Sequence, residues 1–220
     1  MRYHGIVFDL DGTLLDTLDD IAASANAALK KMQCPPHSRE SYREYVGHGL
    51  RSLAQHALPK NRQAEAEVEL FVALYRAAYA VQWKETSRPF DGIPEVLDAL
   101  VAQHVPLAVL SNKRNDFTEE CVHTLLGRWP FEVVRGELEG VPLKPDPTAA
   151  LAVVGELGVE PQRCLFVGDS DVDIETANRA GMPSAGVLWG YRDRVVLERC
   201  NPSFLVAHPA ELLAVCLGSA

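Results

Sequence analysis

Polar groups able to do chemistry recur in this chain at the ends of apolar runs. Gly5-Ile6-Val7-Phe8 leads into Asp9-Leu10-Asp11-Gly12-Thr13, and residues 105–110 lead into Ser111-Asn112-Lys113. Residues 164–167 lead into Gly168-Asp169-Ser170-Asp171, with Asp173 two residues on, and Lys144 stands before Pro145 between the last two groups. In an open α/β sheet the ligand crevice lies beyond the carboxyl ends of the strands. If these runs are neighbouring parallel strands, their polar ends meet at one edge. Carboxylates crowded together raise one another's pKa, and a hard divalent cation removes that difficulty. Magnesium takes oxygen ligands, commonly one or two carboxylates with waters and substrate phosphate. Lys144 adds a positive point charge suited to phosphate. The Ser111 hydroxyl and nearby backbone N–H groups can bind phosphate oxygens. The chemistry these residue types point to is Mg²⁺-assisted handling of a phosphate group.

The same residues also suit plain structural duties. Asp11-Gly12 is a common turn signal. Asp169, Ser170 and Asp171 all suit a helix N-terminus. Lys144 alone is an ordinary loop lysine.

The elements that must position these groups follow from the hydrophobic pattern. Residues 5–10 read as a buried strand ended by a turn. The composition then shifts to Ala, Leu, Glu and Arg up to about residue 85. Leu18, Ile21, Ala25, Leu29 and Met32 recur at helical spacing, with Asp16 or Thr17 as cap and Asp19 and Asp20 in the first turn. Val68, Phe71, Val72, Tyr75, Ala78 and Tyr79 give a second amphipathic helix. Val46-Gly47-His48-Gly49 between them reads as a loop. From about residue 88 strands and helices alternate: helices over 94–103, 117–126, 148–157, 173–180 and 209–216, and strands over 105–110, 131–134, 164–167, 184–188 and 204–206. Alternation of this kind predicts a mainly parallel, doubly wound α/β sheet covered on both faces. The predicted organisation is an α/β core from residues 1–15 and 87–220, with an all-helical insertion over 16–86.

The chain has 220 residues, 47% of them hydrophobic and 23% charged, as in ordinary globular proteins. That length can bury roughly 70% of the unfolded surface, so folding needs no staples. With 21 basic against 30 acidic residues the net charge is −9, which argues against nucleic acid and anionic membrane as partners. No run of eighteen apolar residues is present, and the apolar stretch before Asp9 is too short for a signal peptide. The five cysteines are odd in number and none form a Cys-x-x-Cys pair, so neither a disulfide framework nor a zinc site is expected. A reducing cytoplasm fits that usage.

Taken together, Asp9-Leu10-Asp11-Gly12-Thr13-Leu14, Leu110-Ser111-Asn112, Lys144-Pro145 and Val167-Gly168-Asp169-Ser170-x-x-Asp173 resemble the four motifs of the haloacid dehalogenase superfamily, in the family's order. The likeness extends over nearly the whole chain, and the helical insertion resembles the family's type 1 cap. Asp16-Thr17 and Tyr45-Val46-Gly47-His48-Gly49-Leu50 resemble its phosphoglycolate phosphatase-like members. The resemblance implies a phosphatase acting on a small phosphorylated metabolite, with 2-phosphoglycolate as the leading candidate and Mg²⁺ as cofactor. Asp9 would be the nucleophile that forms an aspartyl-phosphate. Asp11 would protonate the leaving alkoxide and then activate water, which requires it to be protonated at the first step. Asp9, Asp169 and the backbone carbonyl of Asp11 would ligate the metal, with Asp173 and Ser170 orienting them from behind. Ser111, Asn112, Gly12 and Thr13 would hold the phosphoryl group, and Lys144 would neutralise its charge and that of Asp9. In the cap, His48, Gly49 and Arg51 would select substrate. The cap would open and close about residues 15–18 and 84–90. Rival readings on the same fold are a phosphosugar mutase, against which Thr13 argues, a pyrophosphatase, and a binding module without turnover.

Overall fold

The computed structural model describes residues 3–217. Two compact units are present, one formed by the chain up to Leu15 and from Pro89 onward, the other by Asp16–Arg88.

The first unit is built on a six-stranded parallel sheet. Its strands are Gly5–Phe8 (β1), Leu107–Arg114 (β4), Phe131–Glu137 (β5), Cys164–Gly168 (β6), Ser184–Val187 (β7) and Phe204–Val206 (β8). The spatial order is β5-β4-β1-β6-β7-β8, and every neighbouring pair is parallel. Two further short strands, Leu15–Asp16 (β2) and Arg88–Pro89 (β3), pair with each other. β1 and β6 are buried along their whole length, which is why both read as unbroken apolar runs. The chain passes from β1 to β4 and β5 on one side, then returns to β6 on the other. The carboxyl ends of β4, β1 and β6 therefore flank the topological switch point.

Helices Ile93–Ala102 (α5), Asn115–Leu125 (α6), Thr148–Glu156 (α7), Asp171–Ala180 (α8), Arg194–Arg199 (α9) and Pro209–Leu217 (α10) connect the strands. Ala149, Ala150, Val153 and Val154 of α7 bury against Val7, Ala108, Leu110, Val133 and Phe166, which forms one core layer with Ala177 and Ala180 of α8. Trp83 and Trp129 are buried packing residues, and Cys164 and Cys216 are buried thiols that burial pushes up to about 12.

The helical unit contains Leu18–Lys31 (α1), Arg39–Tyr45 (α2), Leu50–Ala57 (α3) and Glu65–Gln82 (α4), with α1 packed on α4. The spacing predicts α1 and α4 but misses α2 and α3. α2 buries a single side chain, Tyr42, so it leaves no stripe to detect. α3 is one residue over two turns, too short for periodicity to separate it from a loop. At the head of α1 the expectation changes in detail. Thr17 is the N-cap residue but makes no side-chain capping bond. Asp20 stands in the first turn as expected; it is buried, and accepts hydrogen bonds from the backbone N–H and hydroxyl of both Thr86 and Ser87.

β4 also runs further than predicted, through Ser111-Asn112-Lys113-Arg114. The Lys113 N–H donates to the Ser111 hydroxyl, and a register irregularity between Leu110 and Arg114 changes the direction of the strand end. Among the described residues, no helix is long and apolar enough to cross a membrane.

Candidate active site

Asp9 follows β1 directly, and its N–H donates to the carbonyl of Val167 on β6, 2.9 Å away. That pairing sets its side chain beside the end of β6, where Asp169 begins the next turn. Helix α8 then starts with a reciprocal cap. The Ser170 hydroxyl accepts from the Asp173 N–H, and the Asp173 carboxylate accepts from the Ser170 N–H. The cap aims Asp173 back at the sheet edge. Gly168 is required there, because a Cβ at that position would overlap the Asp173 side chain. Asp9, Asp169 and Asp173 thus offer carboxylate oxygens that all lie within 4.8 Å of one another, and all three residues are buried.

Lys144 lies between two of them. Its Nζ is 2.8 Å from Asp9 Oδ1, 2.7 Å from Asp173 Oδ1 and 3.0 Å from the Leu110 carbonyl. Its side chain is 3% exposed. The backbone of Lys144 is held by Asn112, whose Nδ2 donates to the Lys144 carbonyl (2.9 Å) and whose Oδ1 accepts from the Lys144 N–H (2.8 Å). The Asn112 side chain, from a residue expected to help hold a phosphoryl group, is thus committed to the main chain that carries the lysine. An amide side chain matches a peptide group donor to acceptor, so the pair forms wherever the two run alongside.

Thr13 likewise serves Asp169, donating to its Oδ1 at 3.3 Å, while the Thr13 carbonyl accepts from the indole N–H of Trp189. Gly12 has φ of 92°, and a Cβ there would run into the Asp169 carboxylate. The Gly12 turn therefore lies against Asp169 as only glycine allows. The other Asp169 oxygen accepts from the Tyr191 N–H at 2.6 Å. Gly190 is equally constrained, since a Cβ would overlap Asp169. The sequence reading missed this second wall, Trp189-Gly190-Tyr191. It stands just past β7, and the rule that ligands lie beyond strand ends would have pointed to it.

Electrostatically the cluster is short of positive charge. Burial, reinforced by Asp173 and Asp169, pushes Asp9 well above the usual carboxylate range despite the pull of Lys144. Burial, with Asp173 adding to it, raises Asp169 to about 7, against the lowering effects of the Tyr191 N–H, Arg192 and Lys144. Burial works to lower Lys144, but Asp173 and Asp9 outweigh it and keep the ammonium charged above its ordinary range. Hard oxygen donors, close together, buried and resisting ionisation, fit a hard divalent cation.

The remaining predicted residues fall in two places. Ser111 is buried at the end of β4. Asp11 lies two residues past Asp9, outside the carboxylate cluster, with its Oδ1 2.5 Å from the Nζ of Lys113. Sequence spacing marks Lys113 only as part of a strand end. His48, Gly49 and Arg51 belong to the helical unit, between α2 and α3 and in the first turn of α3. His48 is exposed, and Arg51 is ion-paired with Glu65 at 2.5 Å and with Glu69.

A parallel sheet whose switch point gathers aspartates around one lysine defines a hydrolase class, and the chain belongs to the haloacid dehalogenase-like hydrolase family, whose profile matches residues 6–187. Among its curated relatives are a phosphoglycolate phosphatase of Aquifex aeolicus, 35% identical over 94% of both chains, and the phosphoglycolate phosphatase of Escherichia coli K12, 31% identical over 95% of this chain and 90% of that protein. Its fold is similar to a crystal structure from Lactobacillus delbrueckii subsp. bulgaricus, with a TM-score of 0.91, 27% identity, and coverage of 99% of this chain and 100% of that one.

Proposed function

We propose that this protein is a Mg²⁺-dependent phosphatase that hydrolyses 2-phosphoglycolate to glycolate and phosphate through an aspartyl-phosphate intermediate. The observation that carries the reading is the buried ammonium of Lys144 set between Asp9 and Asp173, with Asp169 alongside. The substrate comes from the names of the curated relatives, which align over nearly the whole chain.

Asp9 and Asp169, with the backbone carbonyl of Asp11, would hold the metal. When bound it supplies positive charge against the phosphoryl oxygens. The rest of the chemistry belongs to this chain. A carboxylate oxygen of Asp9 bonds to phosphorus as the ester P–O bond breaks, and Asp11, which must come off Lys113 and enter the step as the neutral acid, gives its proton to the departing alkoxide. Asp11 then takes a proton from water, whose oxygen bonds to phosphorus while the bond to Asp9 breaks. Phosphate leaves, and Asp9 is again a carboxylate. Lys144 holds Asp9 in place and offsets the charge gathering around phosphorus. Asp173 holds Lys144, and Thr13 and the Tyr191 N–H hold Asp169. The Ser111 hydroxyl and the backbone around Gly12 are the donors assigned to the phosphoryl oxygens. The helical unit acts as the cap that selects substrate, with His48, Gly49 and Arg51 as its candidate residues. Five free cysteines suit the reducing cytoplasm.

The test is phosphate release from a panel of small phosphate monoesters, scored by kcat/KM with Mg²⁺ and again after chelation. Metal-dependent turnover with 2-phosphoglycolate at the top of the panel is the expected result. Equal turnover in chelator, or no turnover of any ester, would overturn the reading.

A further inference from the structure

The proposed reaction asks Asp11 to face the ester oxygen of the substrate, yet in this structure its carboxyl faces Lys113. The pair is 2.5 Å long, with side chains only 8% and 11% exposed, so it is largely shielded from water. Lys113 is placed there by construction. The strand irregularity between Leu110 and Arg114 redirects the end of β4, and the Lys113 N–H is tied to the Ser111 hydroxyl. The Lys113 carbonyl is tied to the Thr118 hydroxyl at 3.0 Å, and Gly136 of β5 packs so close to that carbonyl that a Cβ would not fit. A lysine this firmly mounted at the carboxyl edge of the sheet is a built feature of the site.

When Asp11 turns to the ester oxygen, the shielded ammonium gives up this ion pair, a cost that an anion brought in with the substrate offsets. In the proposed reaction the phosphoryl group sits at the Asp9 and Lys144 end of the site, on the other side of the ester oxygen. The anion nearest Lys113 is then one carried on the leaving group. We propose that Lys113 is a specificity residue that exchanges Asp11 for a carboxylate carried on the substrate's leaving group, one carbon from the ester oxygen. Such a carboxylate lies next to the atom Asp11 must reach, and so next to Lys113. An uncharged leaving group offers no replacement, and Asp11 stays on the lysine. The inference rests on the phosphatase reading and adds to it the residue that recognises the acid end of the substrate.

The experiment compares 2-phosphoglycolate with 2-hydroxyethyl phosphate, which has the same length and no carboxylate. The wild-type chain, Lys113→Met, Lys113→Gln and Lys113→Arg are each scored by kcat and KM on both esters, with circular dichroism to check folding. The wild type is expected to prefer the carboxylated ester. Lys113→Met and Lys113→Gln are expected to lower kcat/KM on 2-phosphoglycolate by about 100-fold and to change it on the uncharged ester by less than about tenfold in either direction, so that the preference collapses. Lys113→Arg, which keeps the charge, is expected to retain a clear preference. An equal fall on both esters would make Lys113 a mount for Asp11 only and overturn the inference. So would a preference that survives in the folded neutral variants, or a wild type that turns over both esters equally well. A wild type inactive on both esters would instead end the phosphatase reading, and this inference with it.

Discussion

Lys144 divides one ammonium between Asp9 and Asp173. Removing the cation leaves two buried carboxylates facing each other, so Lys144→Met is expected to cost about 3–5 kcal/mol of stability and to abolish turnover. Urea unfolding checks the first part, and a loss below about 1 kcal/mol would contradict it. Asp9 behaves in the opposite way. Burial already resists its charge, so Asp9→Asn removes the nucleophile while relieving that cost. The variant should lose all but about a thousandth of its activity and unfold no lower in temperature than the wild type. A melting curve and a phosphate assay on the same preparation decide the matter.

At the scale of single elements, α8 is both a structural helix and the mount for Asp173. Its reciprocal cap joins Ser170 to Asp173 in both directions. Ser170→Ala is expected to cost about 1 kcal/mol through the lost cap and to reduce activity further by releasing Asp173 from its orientation. Activity that falls only in proportion to the folded fraction would show that the cap has no part in aiming the carboxylate. In the helical unit, Asp20 of α1 gathers the N–H groups and hydroxyls of Thr86 and Ser87 just beyond α4. Asp20→Ala leaves those donors without their acceptor, and a cost of about 2 kcal/mol is expected. Faster hydrogen–deuterium exchange over residues 84–88 is the measurement, and unchanged exchange there would refute the tie.

For the whole molecule, the carboxylate cluster links stability to pH and metal. In the folded chain without a cation, Asp169 is raised to about 7 from the ordinary 3.8, first by burial and then by Asp173. Between those values the folded state holds a proton that the unfolded chain has lost. Stability from this group is therefore full below about pH 4 and is lost as pH rises through 7. A divalent cation binds the ionised carboxylates and cancels that loss. Magnesium should raise the melting temperature by about 5 °C or more at pH 8 and by much less at pH 5. A metal-induced shift that is the same at both pH values would argue against the cluster as the binding site.

Much of the core was legible in the sequence because its central strands are buried on both faces. Residues 5–8 and 164–167 read as apolar runs, and polar residues follow such runs where a parallel sheet opens to its ligand edge. The motifs at Asp9, Ser111 and Asp169 were visible for the same reason, since each follows an apolar run, whereas Lys144 stood out only by its place among them. Short or polar elements such as α2, α3 and α9 were not, because α2 and α9 each bury one residue and α3 is too short to leave a periodic trace. What the residues touch was decided only in three dimensions. Asn112 turned out to hold the backbone of Lys144, Thr13 to serve Asp169, and Lys113 to face Asp11 across more than a hundred residues of chain. A sequence records which groups are available along a line. Which of them neutralise one another depends on strand order and register, because charge and hydrogen bonding act over a few ångströms of space and not over distance along the chain.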